Sequence, residues 1–265
     1  MRTSPSLRKG IAMRELLVLS ALLAALLQGP VTAQTTMGVV LLHGTEGSPL
    51  SPGEFARLGE KIEKAGFLVE RPEMCWSRTR IYDRTLLDCL KDVDLAIQRL
   101  RERGAASFVV GGIGPGGTAA ILYGSLHRDL KGVVAVAPRP DPGLARDRAI
   151  VASMARARSL ITAGRGDQAE FFDSKHDSTI RVRTTANIYV TFWDMTGPAN
   201  ISDDASKIAI PVLWIATPGD TLQPTREAFD RIPPNTRNQY MEIGTDNLAT
   251  IDAAADPVIA WLKAL

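Results

Sequence analysis

The stretch that decides the fold is residues 107–117, Ser-Phe-Val-Val-Gly-Gly-Ile-Gly-Pro-Gly-Gly, near the middle of the chain. Residues 107–110 form a short apolar run that is typical of a buried strand, and the run ends in a glycine-rich turn. A helix of small and apolar residues is predicted directly after the turn, from 116 to about 127. A buried strand that passes through a tight turn into a helix indicates an α/β fold, in which ligands bind at the carboxyl ends of the strands.

Strands and helices alternate on both sides of this turn. Continuous apolar runs predict buried strands, and runs with one apolar face predict helices. The predicted strands are residues 38–42, 67–69, 107–110, 133–137, 212–215 and 239–243. The predicted helices are residues 51–65, 84–103, 116–127 and 226–231, with a last helix near the C-terminus. This order predicts an α/β fold with a mostly parallel sheet and helices on both of its faces.

Two of these helices carry recognisable start signals. Ser51 precedes Pro52 and is followed by Glu54, which predicts a capping box at the first helix. Asp256 and Pro257 stand side by side, which predicts that this pair caps and opens the last helix. We therefore expect a side-chain cap at the start of both helices.

Residues 138–210 interrupt the alternation. This stretch is too long for a single crossover helix. It contains a helical piece rich in Ala and Arg at 145–161 and a strand-like piece at 180–192. We predict that it is an insertion forming a cap over the sheet, within a single domain that spans residues 34–265.

Three loops at predicted strand ends resemble, in their order and spacing, the α/β-hydrolase fold. They are residues 41–47 (Leu-Leu-His-Gly-Thr-Glu-Gly), 112–117 (Gly-Ile-Gly-Pro-Gly-Gly) and 217–220 (Thr-Pro-Gly-Asp). In that superfamily the His-Gly loop helps to form the oxyanion hole, a Gly-x-Ser-x-Gly elbow carries the nucleophile, and a late strand carries the acid. The resemblance extends to residues 71–74, 163–167 and 211–214. It implies an exported bacterial subgroup of hydrolase-like proteins.

At the elbow this sequence departs from the family pattern. The frame Gly-x-Ser-x-Gly reads Gly112, Gly114 and Gly116 here, so the nucleophile position holds Gly114, which has no side chain. Glycine tolerates the strained backbone of an elbow, so the geometry can survive without the nucleophile. The next residue normally donates its N–H to the oxyanion, but Pro115 has no N–H.

The position of the general base is also changed. A His follows the last strand in the family, whereas residues 244–247 read Gly-Thr-Asp-Asn, so Asn247 is expected at the His position. Asn cannot take up a proton at neutral pH. Asp220 stays at the acid position, although Asp is also favoured in such a turn for conformational reasons. Because nucleophile, oxyanion donor and base are altered together, we predict a degenerate triad that has lost serine-hydrolase catalysis.

The resemblance then implies a binding or accessory protein that keeps the ancestral cleft. The positions expected to line the cleft, besides the three of the triad, are His43, Gly44, Thr45, Pro115 and Gly116. The expected partner is a small-molecule ligand, or a protein that contacts the cap. No cofactor is expected.

An unorthodox hydrolase or esterase is the first alternative. His43 or Glu46 could activate a water molecule for ester hydrolysis, with Asp220 and Ser48 close by. The simpler interpretation of His43 is a strand-end residue whose ring is hydrogen-bonded to neighbouring backbone.

Nucleotide binding is the second alternative. Residues 112–117 satisfy the pattern Gly-x-Gly-x-x-Gly between a strand and a helix, and Asp141 follows the next strand, where a ribose-binding acid would lie. Pro115 removes one N–H that would contact a phosphate, and closely packed glycines at this turn also have a packing explanation.

The other histidines and the arginines of the cap are less informative. His176 lies in the sequence Lys-His-Asp, which is typical of a solvated turn. His127 ends a helix, where a cation suits the dipole. The arginines could favour an anionic ligand or form the solvated face of a helix. They are Arg139, Arg146, Arg148, Arg156, Arg158 and Arg165.

Residues 1–33 are predicted to be a secretory signal peptide. A basic stretch ends at Arg14, an apolar run follows at 16–27, and Val-Thr-Ala at 31–33 is a small-residue cleavage site. The apolar run spans roughly 18 Å as a helix, short of the roughly 30 Å hydrocarbon core, so no stable membrane insertion is expected after cleavage. The mature protein is expected in the periplasm or outside the cell.

This leader also accounts for the net charge. The chain has 31 basic and 29 acidic residues, which gives a formal net charge of +2. Residues 1–33 hold four of the basic residues and one acidic residue, so 27 basic and 28 acidic residues remain after them. A near-neutral domain is a poor electrostatic partner for DNA or RNA, and no nucleic-acid binding is expected.

The chain contains two cysteines, Cys75 and Cys89. Cys89 lies on the apolar face of the helix predicted at 84–103, which favours a small buried apolar side chain. A Cys75–Cys89 disulfide, which export would permit, is the alternative. With two Cys and three His, a structural zinc site is not expected.

Overall fold

A central parallel sheet organises the computed structural model, which describes residues 36–45, 47–49, 53–138, 148–174, 181–219 and 226–265. For Glu54 and Asn247 it describes the backbone alone. The strands in this part of the chain are β1 (Met37–Leu42), β2 (Leu68–Glu70), β3 (Ser107–Ile113), β4 (Gly132–Val136), β5 (Ala169–Asp173), β6 (Arg181–Thr185), β7 (Val212–Ala216) and β8 (Gln239–Glu242). Six of them pair in parallel in the order β2-β1-β3-β4-β7-β8, and β5 and β6 pair antiparallel in a separate ribbon.

Helices cover both faces of the sheet. They are α1 (Glu54–Lys64), α2 (Leu86–Glu102), α3 (Pro115–Leu126), α4 (Arg148–Thr162), α5 (Ala186–Trp193), α6 (Ile201–Ala205), α7 (Arg226–Asp230), α8 (Asn247–Ala253) and α9 (Ala255–Ala264). The predicted α/β class, with a mostly parallel sheet between helices, is confirmed.

The two faces form separate apolar cores because successive side chains of a strand point to opposite sides. On β1, Val39 and Leu41 pack with apolar residues of α1, α8 and α9. Val40 and Leu42 pack on the other side, with residues of α2, α3 and the segment between β4 and β7. Residues Thr36–Leu265 form one compact unit.

The segment between β4 and β7 contains α4, β5, β6, α5 and α6, and the two strands that it connects are neighbours in the sheet. Residues 139–147 and 175–180 of this insertion lie outside the described part. The strand predicted over 180–192 is wrong beyond Thr185, whose hydroxyl accepts a hydrogen bond from Ile188 N and caps α5. The apolar residues of this stretch recur at helical rather than strand spacing, and one helix face is therefore buried.

The predicted helix starts also need correction. Gly53 occupies the N-cap position of α1 without a side-chain cap, whereas Ser51 and Pro52 lie outside the described residues. At the C-terminus, α9 begins at Ala255 directly after α8, so Asp256 lies in the first turn and is not the cap. Asp246 instead caps α8, because its side chain accepts a hydrogen bond from Ala249 N. An extra helix therefore precedes the predicted one.

Cys75 and Cys89 form a disulfide with their Cα atoms 5.7 Å apart. The expectation of a free buried thiol is wrong, because the loop before α2 folds back and brings Cys75 against the first turns of the helix. Both residues are fully buried, as that expectation required. Among the described residues no helix is both long and apolar enough to cross a membrane.

Candidate functional site

The turn between β3 and α3 is a sharp elbow centred on Gly114. This residue has φ 53° and ψ −124°, a backbone conformation that residues other than glycine adopt only with strain. Its N–H donates to Val136 O at 3.0 Å, and its carbonyl accepts from Thr118 N at 3.1 Å. The elbow is therefore fastened to the end of β4 on one side and to the first turn of α3 on the other.

The two outer glycines of the elbow are required by close packing. A Cβ atom on Gly112 would overlap with the backbone of Gly116, and a Cβ on Gly116 would overlap with Leu42 O. Gly114 differs from both, since Gly44 Cα, at 3.9 Å, is the only atom of the described residues within 4 Å of its Cβ position, apart from its own chain neighbours. The described part of the chain therefore leaves space for a side chain at the centre of the elbow, although the residue there has none.

The predicted oxyanion-hole region lies beside this elbow. Gly44 faces the end of β3, because its Cβ position lies 3.6 Å from a side-chain carbon of Ile113. Pro115 is the first residue of α3, so the helix begins with a residue that has no N–H. Thr45 is exposed, and Gly116 is buried under the loop that follows β1.

The ring of His43 is buried and makes hydrogen bonds to backbone at both nitrogens. Its Nδ1 donates to Gly44 O at 2.8 Å, and its Nε2 accepts from Met74 N at 3.1 Å. Burial lowers the pKa of His43, while the Gly44 carbonyl and the charge of Glu73 oppose that shift. The neutral tautomer with Nδ1–H satisfies both contacts, so His43 acts as a structural residue in this arrangement.

The structure describes the acid and base positions of the predicted triad only in part. Asp220, Glu46 and the side chain of Asn247 lie outside the described residues, and the backbone of Asn247 forms the first residue of α8. The ends of β7 and β8 are joined nearby through two buried threonines. Their hydroxyl groups, on Thr217 and Thr250, lie 2.8 Å apart.

The direction of that hydrogen bond follows from a neighbouring contact. The Thr250 hydroxyl donates its single proton to Ile243 O at 2.7 Å, so it accepts from the Thr217 hydroxyl. This short chain of hydrogen bonds ties the loop after β7 to α8, the two places where the acid and base positions are expected.

The features proposed for nucleotide binding have a packing role. A Cβ on Gly117 would lie 3.1 Å from Gly112 O and 3.2 Å from Pro138, so helix and strand approach closely here. Asp141 lies outside the described residues. Ser48 is half-buried in the loop after β1.

The remaining histidines and arginines lie away from the elbow or outside the described residues. His127 stacks on Tyr123 with ring centroids 4.0 Å apart. Arg156 and Arg158 make contacts within the insertion and its flank, to Phe171 O and Asp194 respectively. Arg148 and Arg165 are exposed, and His176, Arg139 and Arg146 are not described. The described residues contain no cluster of His, Cys, Asp and Glu that could hold a metal ion.

Sequence reasoning missed the residues that hold the His-Gly loop in place. Besides the bond from Met74, the indole N–H of Trp76 donates to His43 O at 2.9 Å. Both residues flank Cys75 and are fully buried. The sequence shows only that Met74 and Trp76 flank a Cys, and no local pattern indicates their contact with His43.

Comparison with known proteins identifies the architecture. No family model matches this chain, and no curated protein matches it. It is similar to the structure of the monoacylglycerol lipase of Paleococcus ferrophilus, with 19% identity and a TM-score of 0.63 over 86% of this chain and 94% of that chain. It is also similar to a structure from work on LipS and LipT, two metagenome-derived lipolytic enzymes, with 17% identity and a TM-score of 0.60 over 87% and 93%.

A third similar structure is that of Est1E from Butyrivibrio proteoclasticus with bound ferulic acid. The identity is 16% and the TM-score 0.60, over 89% of this chain and 92% of that chain. At these identities the likeness concerns the fold. With a parallel six-stranded sheet and a strand-to-helix elbow at its centre, this chain has the α/β-hydrolase fold.

Proposed function

We propose that this protein binds a ligand in the cleft of an α/β-hydrolase fold and does not hydrolyse it through a serine nucleophile. The observation that carries the proposal is Gly114, which holds the strained elbow conformation but has no side chain. An elbow of this geometry normally presents a nucleophile to the substrate. The described residues leave room for a ligand atom above Gly114, where Gly44 Cα lies 3.9 Å from the Cβ position.

Two neighbouring residues support the loss of acyl transfer. Pro115 cannot donate a backbone N–H to an oxyanion, and one missing donor typically costs about 10²–10³ in rate. His43 cannot serve as a general base in its present hydrogen bonds, because both ring nitrogens are engaged and the ring is buried. Asn247 at the expected base position would complete the loss.

The occupant that we propose is a small molecule with a carbonyl or carboxylate group. Clefts of this fold receive ligands at the carboxyl ends of the strands, and a bare glycine backbone allows close approach. A protein partner that contacts the insertion is the other occupant consistent with a binding role. No nucleic-acid partner is proposed, since the domain after residue 33 is near-neutral.

Hydrolysis of esters by an unorthodox site is the second candidate function. Similarity to a structure from work on lipolytic enzymes and to a monoacylglycerol lipase favours it. The chemistry would have to use Asp220 with a base other than His43, for the reasons given above. This candidate predicts turnover that depends on Asp220.

We further propose that the mature protein is exported, with residues 1–33 as the signal peptide. The Cys75–Cys89 disulfide supports this proposal, because such bonds persist in oxidising compartments. Cell fractionation with mass measurement of the mature N-terminus tests it. A cytosolic product that keeps residues 1–33 would contradict it.

Turnover of short activated acyl esters by protein purified without residues 1–33 tests the main proposal. Native protein, a Gly114→Ser/Asn247→His variant and an Asp220→Ala variant are compared under one set of conditions. We expect no turnover by the native protein above the uncatalysed rate. Clear native turnover that Asp220→Ala abolishes would overturn the proposal and favour the second candidate.

Binding is measured separately, by the shift in melting temperature with short-chain carboxylates and non-hydrolysable amides of the same acids. A ligand that binds the folded state raises the melting temperature, because it stabilises that state by RT ln(1 + L/Kd), where L is the concentration of free ligand. The matched variant is Gly114→Leu, which fills the open space above the elbow. Stabilisation of the native protein that is lost in Gly114→Leu is expected, and equal shifts in both proteins would place the ligand elsewhere.

A further inference from the structure

The segment 75–89, which we name the disulfide loop, is closed by the bond between its first and last residues. The residues on either side of Cys75 both contact His43. Met74 donates its backbone N–H to the His43 ring, and Trp76 donates its indole N–H to the His43 carbonyl, at 3.1 Å and 2.9 Å. Cys75 therefore lies between two residues that are hydrogen-bonded to His43, and we name residues 74–76 the His43 clamp.

His43 connects this clamp to the elbow. It precedes Gly44 and donates from Nδ1 to the Gly44 carbonyl, and its ring packs edge-on against the rings of Phe55 and Trp76. Among the described residues other than its chain neighbours, Gly44 has the atom nearest to the Cβ position of Gly114, its Cα at 3.9 Å. A shift of residues 74–76 would thus move the wall of the cleft directly opposite the elbow.

The disulfide loop also contacts the insertion, which is the segment between β4 and β7. The Thr184 hydroxyl donates to Tyr82 O at 2.8 Å, and Leu86 N donates to the Thr191 hydroxyl at 3.0 Å. The Tyr82 ring also packs edge-on against Phe192, with centroids 4.9 Å apart. The same loop therefore contacts both the cleft and the insertion.

The disulfide loop is strained between these contacts. Ile81 and Tyr82 are consecutive non-glycine residues with φ values of 47° and 55°, in the left-handed region. Tyr82 N donates to Cys75 O at 2.7 Å, and Arg80 bonds to Glu73 O, Asp83 and Asp92. Such a conformation persists only where surrounding bonds hold it.

We propose that Cys75 and Cys89 are positioning residues for the elbow cleft, whose bond holds the disulfide loop so that it fixes His43 and Gly44 and joins them to the insertion. The location of the cleft comes from the proposed function, but the proposal is independent of whether the cleft binds or hydrolyses its ligand. Its test therefore uses neither ligand nor turnover.

Amide hydrogen exchange of the Cys75→Ala/Cys89→Ala variant measures the effect locally. Exchange in peptides covering residues 41–45 and 183–191 is expected to become at least tenfold faster, with less than a twofold change in β7. A Val258→Ala variant is the control, because it destabilises the protein from α9, on the opposite face of the sheet. The two variants are compared at temperatures that lie equally far below their melting points.

A second variant, Trp76→Phe, removes the hydrogen bond to the His43 carbonyl and keeps the disulfide and an aromatic ring, although a smaller one, against His43 and Phe192. Faster exchange at residues 41–45 without a change at 183–191 is the expected result. If the Cys75→Ala/Cys89→Ala variant does not fold, Trp76→Phe alone tests the proposal. Unchanged exchange at residues 41–45 in Trp76→Phe would then overturn it. Equal changes in the Cys variant and in Val258→Ala would also overturn it.

The ¹⁵N resonances of the His43 ring give an independent readout. In the native protein His43 is expected to stay neutral below the pH at which an ordinary histidine protonates, since burial lowers its pKa. The charged groups that act on it are Glu73 and Arg80. In the Cys75→Ala/Cys89→Ala variant the titration is expected to move up towards the ordinary range, and an unmoved titration would overturn the proposal.

Discussion

The Cα atom of Gly44 lies 3.9 Å from the position that a Cβ atom would take on Gly114, and no other atom of the described residues, apart from the chain neighbours of Gly114, lies within 4 Å of that position. The loop after β1 and the elbow after β3 thus face each other across a gap wide enough for a side chain. In an active hydrolase of this fold the nucleophile fills that gap.

The three glycines of the elbow are expected to differ in their tolerance of alanine. Gly114→Ala should lower the free energy of unfolding by about 1–3 kcal/mol, which is the strain of a non-glycine residue at φ 53° and ψ −124°. Gly116→Ala should cost about 3 kcal/mol or more, because its Cβ would meet Leu42 O in rigid backbone. Urea denaturation of both variants measures the difference. Equal costs would mean that the close approach of α3 to β1 is not maintained in solution.

The hydrogen bond between Thr217 and Thr250 is expected to stabilise the loops at the ends of β7 and β8. Thr217→Val should cost about 1–2 kcal/mol, because it removes the donor to a buried hydroxyl. A double-mutant cycle with Thr250→Val should give a coupling energy of about 0.5–1.5 kcal/mol. The free energy of unfolding in urea is the measurement, and a coupling energy near zero would contradict the bond.

Asp204 is expected to make stability depend on pH. Burial raises its pKa to about 6, partly opposed by Lys207, against 3.8 for an ordinary Asp. Its Oδ2 atom is buried and has no hydrogen-bond partner among the described residues. A carboxyl group whose pKa is raised on folding stabilises the protein fully below the unfolded value, and that stabilisation is lost as the pH rises through the folded value.

The free energy of unfolding of the native protein, relative to Asp204→Asn, should therefore fall by about 1–3 kcal/mol between pH 4 and pH 7. Because Asn does not titrate, the difference between the two proteins removes the contributions of other groups. Urea denaturation at several pH values gives the curve. A difference that stays constant across this range would show that Asp204 titrates normally.

Among the ion-paired residues of the disulfide loop, we expect the replacement of Arg80 to destabilise the protein most. Its guanidinium donates to Asp92 at 2.6 Å, to both oxygens of Asp83 and to Glu73 O. Arg80→Lys should cost about 1–2 kcal/mol, because an ammonium group cannot reproduce this forked geometry. The exposed Arg181, which pairs with Asp173 at 3.3 Å, offers a control, and Arg181→Lys should have little effect. Thermal denaturation ranks the two, and an equal effect would refute the prediction.

The strands of the sheet could be predicted because each is a local pattern. Continuous apolar runs such as those of β1 and β4 bury both faces and read as strands from the sequence alone. The segment that became α5 could not be assigned in the same way. Its aromatic residues suit a strand or a buried helix, and the cap at Thr185 and the packing of the insertion decided between them.

The residues of the predicted site likewise include some whose role follows from residue type and others whose role needs the structure. The missing side chain at Gly114 and the missing N–H at Pro115 are properties of the residue types and needed no coordinates. The role of His43 needed the structure, because its ring nitrogen is occupied by a backbone N–H that lies 31 residues away along the chain.

The sequence by itself determined the strands of the parallel sheet and the glycine at the centre of the elbow, since these follow from hydrophobic periodicity and residue chemistry. Only the tertiary structure decided that Cys75 and Cys89 are bonded and that the loop they close contacts both His43 and the insertion. These contacts join segments far apart in the chain, and their geometry depends on the path of the backbone between them, which no local pattern records.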